Sequence, residues 1–391
     1  MSTEDLVIGV PREISERCRC VGLVPQSVQT LTRRGRRVLV ERGAGRTAYC
    51  SDELYQQAGA ELVDGPQELY RRADVVIKLR VPQLNETVKK HELDLMKTGA
   101  AIISFLSPTL EPAIVQKLKA RGLTGFAMEL VPRISRAQSM DALSTLSTIT
   151  GYRAVLLAAN LLGKFFPLLM TAAGTIKPAN LLVIGAGVAG LQAIATAHRL
   201  GARVEAFDTR PAVKEQIESL GARFVEMKLP EDAETAGGYA KEVAEEFIRK
   251  ERETIAGRLP NIDVVITTAL IYGRRAPLIV TGEMVKLMPP GSVIVDIAAE
   301  AGGNCELTRA GQTVESHGVT IHGAVELPSQ MPLHTSLMYS KNALAAFDNL
   351  FAAEDGQVDL EDEINRDALV THKGRIVSEA VSRLTQKGGE A

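Results

Sequence analysis

The sequence predicts an α/β protein of two doubly wound parallel-sheet domains with a cleft between them. Three observations carry that expectation. The chain has 391 residues, more than one ordinary core of roughly 100–200 residues encloses. Short β-branched runs alternate with helix-period segments, the rhythm of strands joined by crossover helices. That rhythm runs twice, restarting near Leu181.

In the first half, "LVIGV", "RVLVE", "ADVVIKL" and "AAIISFL" read as strands, with helical patterns such as "PQSVQTLTRRG" and "LEPAIVQKLKARG" between them. The second half offers "NLLVIGAGVAG", "ARVEAFD", "ARFVEM", "IDVVITTAL" and "GSVIVDIA". Beyond them, "LMYSKNALAAFDNLF" and "LEDEINRDALVTHKGRIVSEAVSRL" read as helices that add no sheet and pack back on the first domain. The expected domains are therefore 1–142, completed by helices in 331–391, and an inserted domain over 143–330. The stretch "AVLLAANLLGKFFPLLMTAAG" holds Asn160, Lys164 and Pro167 near its centre. A charge at that depth costs a few kcal/mol in lipid, so a buried helix ending near Phe166 is expected and no membrane span. The Gly-containing acidic segment 229–242, "LPEDAETAGGYAKE", reads as a long mobile loop. "YAKEVAEEFIRKERE" alternates in charge, as a solvated helix face does.

Forty-five basic and 47 acidic side chains give a net charge of −2. That balance offers no electrostatic case for nucleic acid or an anionic membrane surface. Cys18, Cys20, Cys50 and Cys305 are too scattered for a disulfide framework, which fits a reducing compartment. Cys18-x-Cys20 has no second ligand pair nearby, so no metal site is expected. The start "MSTEDLVIGV" is acidic and lacks a signal-peptide layout.

"LLVIGAGVAGLQAIATAHRLGA" places Gly185, Gly187 and Gly190 as G-x-G-x-x-G after a β run and at a helix opening. Gly185 permits the tight turn, Gly187 lets the backbone approach a pyrophosphate, and Gly190 lets helix and strand pack closely. The N–H groups at the helix start would receive the phosphates. Asp208 ends the next strand candidate, about 20 residues on, where a carboxylate accepts from ribose hydroxyls and repels a 2′-phosphate. This Rossmann-like pattern selects NAD over NADP, although Arg210 is close enough to accommodate that phosphate. Ligand groups in such sheets come from loops after strand ends. Here those are "TTALI" (267–271) and "AAEAGGNCE" (298–306), where Glu300 and Asn304 are either ligand contacts or ordinary loop residues.

The other polar cluster is "PRISRAQSMDALS". If helical, Gln138, Asp141 and Ser144 share about a third of the circumference, and Arg133 can pair with Asp141. The plainer alternative is a helix entry capped by Ser135 or Ser139.

That segment, with "GYRAV", "TAAGT", "GAGVAGLQAIATA", "FDTRPAVKEQIESLGARF", "AGGYAKE", "TTALI", "PGSVIVD" and "EAGGNCE", resembles the NAD(H)-binding component of proton-translocating nicotinamide nucleotide transhydrogenase over nearly the whole chain. A wider resemblance reaches alanine dehydrogenase. The transhydrogenase resemblance implies direct hydride transfer from NADH on this chain to NADP⁺ on a separate NADP(H)-binding component, with a membrane-spanning component conducting protons. It implies a homodimer, cytoplasmic and peripheral on the inner membrane through its partners, and active only with them. By the same resemblance, Gln138 bridges toward the NADP(H) side, while Arg133, Asp141 and Ser144 position the NADH nicotinamide and Gln138. Arg136, Ala269 and Leu270 join the nucleotide contacts. Val188, Asp208, Thr209 and Arg210 contact the adenosine half, and Gly238 and Tyr239 belong to a loop that closes over the nucleotide. Hydride passing between two nicotinamides has no alcohol or amine to deprotonate. Placement and exclusion of water suffice, and a cluster without histidine or cysteine suits that task.

The superfamily pattern P-x-E followed by E-x-R-V appears here as "PREISERCRCV". Pro11 and Glu13 remain, but Cys18 and Cys20 occupy the acid and arginine places. Lys78 is the counterpart of the family lysine or simply a strand-end lysine paired with an acid, and Ser107 stands where a dehydrogenase wants histidine. These departures count against the rival reading of an alanine-dehydrogenase-like enzyme; a second rival, a non-catalytic NAD-sensing module, would bind NADH but form no hydride-transfer complex with an NADP(H) domain.

Overall fold

The computed structural model describes residues 6–227, 240–270, 273, 275–353 and 357–387. The chain divides into two units, Met1–Leu146 with Pro328–Ala391, and Ser147–Leu327.

In chain order the first unit contributes β1 (Val7–Val10), β2 (Arg37–Glu41), β3 (Glu61–Val63) and β4 (Val75–Ile77), a small hairpin of β5 (Leu84–Asn85) and β6 (Lys90–His91), then β7 (Ala101–Ser104) and β8 (Thr124–Ala127). The second unit opens with a hairpin, β9 (Leu169–Thr171) and β10 (Gly174–Ile176). Its main strands are β11 (Asn180–Ile184), β12 (Arg203–Phe207), β13 (Arg223–Phe224), β14 (Val264–Thr267), β15 (Val293–Asp296), β16 (Thr313–Ser316) and β17 (Val319–Gly323). The chain then returns to the first unit with β18 (Leu369–His372) and β19 (Arg375–Ile376).

The first sheet runs β19-β18-β8-β7-β4-β1-β2-β3. Its strands from β3 through β8 are parallel, and β18 joins β8 antiparallel. Strands such as β4 and β7 are buried along their whole length, which is why they read as unbroken apolar runs. The C-terminal segment expected to be wholly helical therefore supplies two strands. Lys373 and Gly374, at φ 46° and 77°, form a two-residue turn of the kind that folds hairpins, and they break the helical pattern.

The second sheet runs β13-β12-β11-β14-β15-β17-β16. β11 is flanked by β12 on one side and β14 on the other, the reversal of strand order that makes a switch point. A second unforeseen hairpin, β16–β17, turns on His317 and Gly318, again both at positive φ. Its side chains alternate, exposed with half-buried along β16 and buried with half-buried along β17, a weaker signal than the continuous runs of β14 and β15.

The helix expected to end near Phe166 spans Ala142–Leu161 instead. Phe166 is in the core of its unit and its carbonyl accepts from Ala179 N–H, while Pro167 packs where a Cβ on Gly201 would stand. The pair leads into the β9–β10 hairpin, because a residue before proline is biased away from helix. Among the described residues no helix is long and apolar enough to cross a membrane.

Candidate dinucleotide site

Register assembles the site in the second unit. Ile184 pairs with both Phe207 and Thr267, and Thr267 pairs with Asp296. The residues just past those pairs, Gly185, Asp208 and Thr268, therefore emerge side by side at the C-terminal edge of the sheet.

Gly185 sits at φ 98°, and Thr268 Oγ1 donates to its carbonyl at 2.9 Å. A Cβ on Gly190 would lie 1.9 Å from that same carbonyl, so only glycine lets the helix Val188–Arg199 start this close to the turn. Gly151 does the same one layer back, where a Cβ would meet the Ala189 carbonyl at 2.1 Å. Gly187 is different. Nothing lies within 4 Å of where its Cβ would be, and no side chain caps the helix it precedes. An open approach to an uncapped helix start is what a pyrophosphate requires, so the residues present fit a dinucleotide. Val188, at the tip of the loop, is half exposed.

Asp208 closes this loop against β12. Its carboxylate accepts from Ala186 N–H at 2.7 Å, from Arg210 N–H at 2.9 Å, and from both ends of the Arg210 guanidinium at 2.9 Å. Burial alone would raise this carboxyl; the Arg210 side chain and the two N–H groups outweigh it and hold it below the usual carboxylate range. Arg210 is thus turned back on Asp208, and Thr209 is exposed.

The neighbouring loops are built from groups that sequence reasoning assigned otherwise or missed. Asn304, a candidate ligand contact, is fully buried. Its side chain accepts from Ala269 N–H at 3.0 Å and donates to the carbonyls of Ala269 and Pro277, both at 2.8 Å. It holds Ala269 in place and has no face for a ligand, whereas Leu270 and Glu300 are exposed. Asp296 was missed, yet its buried carboxylate accepts from Thr267, Ala298, Asn304, Cys305 and Thr308 and organises loop 298–306. An acid ending the apolar run "VIVD" was the available signal. Gly238, Tyr239 and Ile271, with most of segment 229–242, lie outside the described residues.

The first unit holds the other cluster. Ser135–Met140 is a 3-10 helix, and the helix Ala142–Leu161 follows at once. Asp141 caps that helix, not Ser135 or Ser139. Its carboxylate accepts from Ser144 N–H at 2.8 Å and from Ser144 Oγ at 2.6 Å. With Asp141 so engaged, the expected Arg133–Asp141 pair is absent among the described ion pairs. Arg136 reaches away to Asp362 at 2.6 Å and to Asn349 at 3.3 Å. Asn342 fastens the segment through the Ser139 carbonyl at 2.7 Å. Arg133 and Gln138 are exposed.

Lys78 is fully buried in the same unit, 2.6 Å from Glu92 and 3.7 Å from Glu13. Tyr70 donates to Glu92 at 2.6 Å, and Leu79 N–H donates to Glu13. Burial, opposed by Lys78, pushes the Glu13 carboxyl up to about 7. Ser107 takes a left-handed turn at φ 47°, with its N–H donated to Glu129.

A switch point, a glycine turn opening a helix and an acid ending the second strand together define a dinucleotide-binding α/β protein. Comparison with known proteins narrows the class. Residues 9–150 match the family model described as alanine dehydrogenase/PNT, N-terminal domain, and residues 154–379 match its C-terminal domain. The chain belongs to this alanine dehydrogenase/PNT family. It is 45% identical over 374 residues to the NAD(P) transhydrogenase subunit alpha of Cereibacter sphaeroides, covering 94% of this chain and 70% of that one. The crystal structure of a transhydrogenase from Sinorhizobium meliloti superposes with a TM-score of 0.84 at 39% identity, over 95% of this chain and all of that one. An L-alanine dehydrogenase structure superposes with a TM-score of 0.80 at 27% identity, over 98% and 99% of the two chains.

Proposed function

We propose that this chain is the NAD(H)-binding component of a proton-translocating NAD(P) transhydrogenase. It holds NADH while hydride passes directly to NADP⁺ on a partner component, and a membrane-spanning component couples the exchange to proton movement. The observation that carries the choice of NAD(H) is Asp208, tied to the glycine loop through Ala186 at the end of β12. A 2′-phosphate there would face a carboxylate, and the adjacent Arg210 guanidinium is already paired with it.

When bound, the reduced nicotinamide carries the hydride; this chain's residues bind, orient and keep water out. The uncapped helix start beyond Gly187 takes the pyrophosphate. Asp208 takes the ribose hydroxyls. Asp141 and Ser144 hold the entry of helix Ala142–Leu161 in one geometry, and Gln138 and Arg133, on the turn before it, are the residues we assign to positioning the nicotinamides. The cluster contains neither histidine nor cysteine, as suits a reaction that moves hydride and needs no acid or base at the transfer site. We place the protein as a homodimer at the cytoplasmic face of the membrane, held there by its partners.

The test is hydride transfer from NADH to NADP⁺ in a mixture of this chain with the NADP(H)-binding component. The chain alone should bind NADH and turn over little. Lack of exchange with a competent partner overturns the reading, and so does robust NAD-dependent oxidation of alanine by the chain alone.

A further inference from the structure

We propose that Asn342 is a positioning residue for hydride transfer, acting through the backbone of the turn that carries Gln138; the inference rests on the function proposed above. The turn Ser135–Met140 lies on the helix Pro332–Leu350. Its residues Ala137 and Met140 are buried in the same core cluster as Tyr339, Ala343 and Ala346 of that helix. Gln138 stands between the two buried residues, yet it is itself exposed. Packing fixes where the turn lies and leaves open how the peptide groups between its two anchors are rotated. Hydrogen bonds set that rotation. The Gln138 carbonyl accepts from Asp141 N–H at 3.3 Å, and the Ser139 carbonyl accepts from Asn342 Nδ2 at 2.7 Å. Both peptide groups that follow Gln138 are thus held, the second by a side chain 203 residues further along the chain.

The same helix grips the turn a second time. Asn342 and Asn349 stand about two turns apart on one helix face. Asn349 Oδ1 accepts from Arg136 at 3.3 Å, and its amide donates to Asp362, the ion-pair partner of Arg136, also at 3.3 Å. The grips at Arg136 and Ser139 fall on either side of Gln138. Asn342 differs from Asn349 in one respect: its Oδ1 is buried, and among the described residues no donor reaches it. A buried acceptor without a donor costs stability and offsets the bond that Nδ2 makes, so an apolar side chain of similar size would hold the fold as well. What an apolar side chain cannot do is hold the Ser139 carbonyl. The amide therefore serves the orientation of the turn more than the stability of the unit. With that carbonyl released, the backbone after Gln138 samples more orientations, and a side chain that must meet its target closely is productive less of the time.

The experiment compares the full-length wild type, Asn342→Leu, Gln138→Ala and the double variant, each mixed with the NADP(H)-binding component. Stopped-flow transfer from NADH to NADP⁺, equilibrium binding of NADH and thermal melting are read for each. Asn342→Leu should melt at or above the wild-type temperature, bind NADH within about twofold of wild type, and transfer hydride about three- to tenfold more slowly. In the Gln138→Ala background the same substitution should change the rate by less than about twofold, because the residue it acts through is already gone. Asn342→Ala, which leaves space unfilled, should melt lower and show the same slowing, so the assignment stays testable if leucine does not fit. A wild-type rate in both Asn342 variants overturns the assignment. Slowing that persists undiminished in the Gln138→Ala background overturns it too, as does a loss of NADH affinity that matches the loss of rate. Those outcomes leave the proposed function standing, whereas no transfer by the wild type with a competent partner overturns that function and this inference together.

Discussion

Replacing Asp208 with asparagine separates cofactor choice from loop architecture. Asparagine keeps one oxygen where Ala186 N–H needs an acceptor at 2.7 Å, so the glycine turn should survive. What disappears is the charge, and the second oxygen becomes a donor. A hydrogen bond to a charged acceptor contributes about 1.5–3 kcal/mol against about 0.5–1.5 for a neutral one. Losing the charged acceptor should therefore weaken NADH binding by about 1–2 kcal/mol, roughly five- to thirtyfold. Arg210 is released at the same time. Its side chain is 60% exposed, so breaking its pair costs the fold under about 1 kcal/mol, and the freed guanidinium can meet a 2′-phosphate. The two effects narrow the NADH-to-NADPH affinity ratio from both ends. Titrating each nucleotide against wild type and Asp208→Asn by its own fluorescence, with thermal melting in parallel, reads all three quantities. An unchanged ratio with an unchanged melting temperature would refute the role given to Asp208. A collapsed melting temperature would show instead that the carboxylate is mainly a loop fastener.

Four further outcomes are expected. Gln138→Ala should leave NADH affinity within about twofold and slow hydride transfer to the partner's NADP⁺ at least tenfold, a fall of about 1.4 kcal/mol in transition-state stabilisation; stopped-flow transfer alongside equilibrium binding checks it. Glu92→Gln removes the closest partner of the buried Lys78 ammonium and should cost about 3–5 kcal/mol of stability in denaturant unfolding. For Glu13 the folded pKa is raised from 4.5 to about 7. Its contribution to stability is thus fully present below the ordinary value and is lost as pH rises through about 7. Glu13→Gln should flatten that fall, and its stability relative to wild type should improve between pH 5 and pH 8, as parallel unfolding curves would show. Asn304→Ala strips partners from Ala269 and Pro277; it should cost about 1–3 kcal/mol and loosen loop 267–270, read by hydrogen exchange.

The legible parts of this chain are those where one physical constraint decides a residue type. A strand buried on both faces must be apolar throughout, so β11, β14 and β15 stand out as continuous runs. Where an added Cβ would fall 1.9 Å from a backbone carbonyl, as on Gly190 beside Gly185, only glycine fits, and the glycine spacing is visible in the sequence. The hairpins β16–β17 and β18–β19 were hidden because their strands are short and their turns rest on the pairs His317-Gly318 and Lys373-Gly374. Asp296 and Asn304 were hidden for another reason: their partners are fixed by sheet register and by chain reversals that no local pattern encodes.

The segment "PRISRAQSMDALS" shows the same limit within one motif. Its polar residues look equivalent on the page, and any of them could orient a ligand. Asp141 is committed to Ser144 at the helix start, and an acid directly before an apolar helical run was the legible cap signal. Arg136 is committed to Asp362, far along the chain, which only the fold reveals. Ser139 gives its carbonyl to Asn342. Three members thus fasten the turn, and Arg133 and Gln138, also exposed, have side chains that the proposed role leaves for another molecule. Pinning the backbone of this turn at Asp141, Arg136 and Ser139 lowers the cost of ordering whatever the turn presents, which is what the proposed positioning role needs.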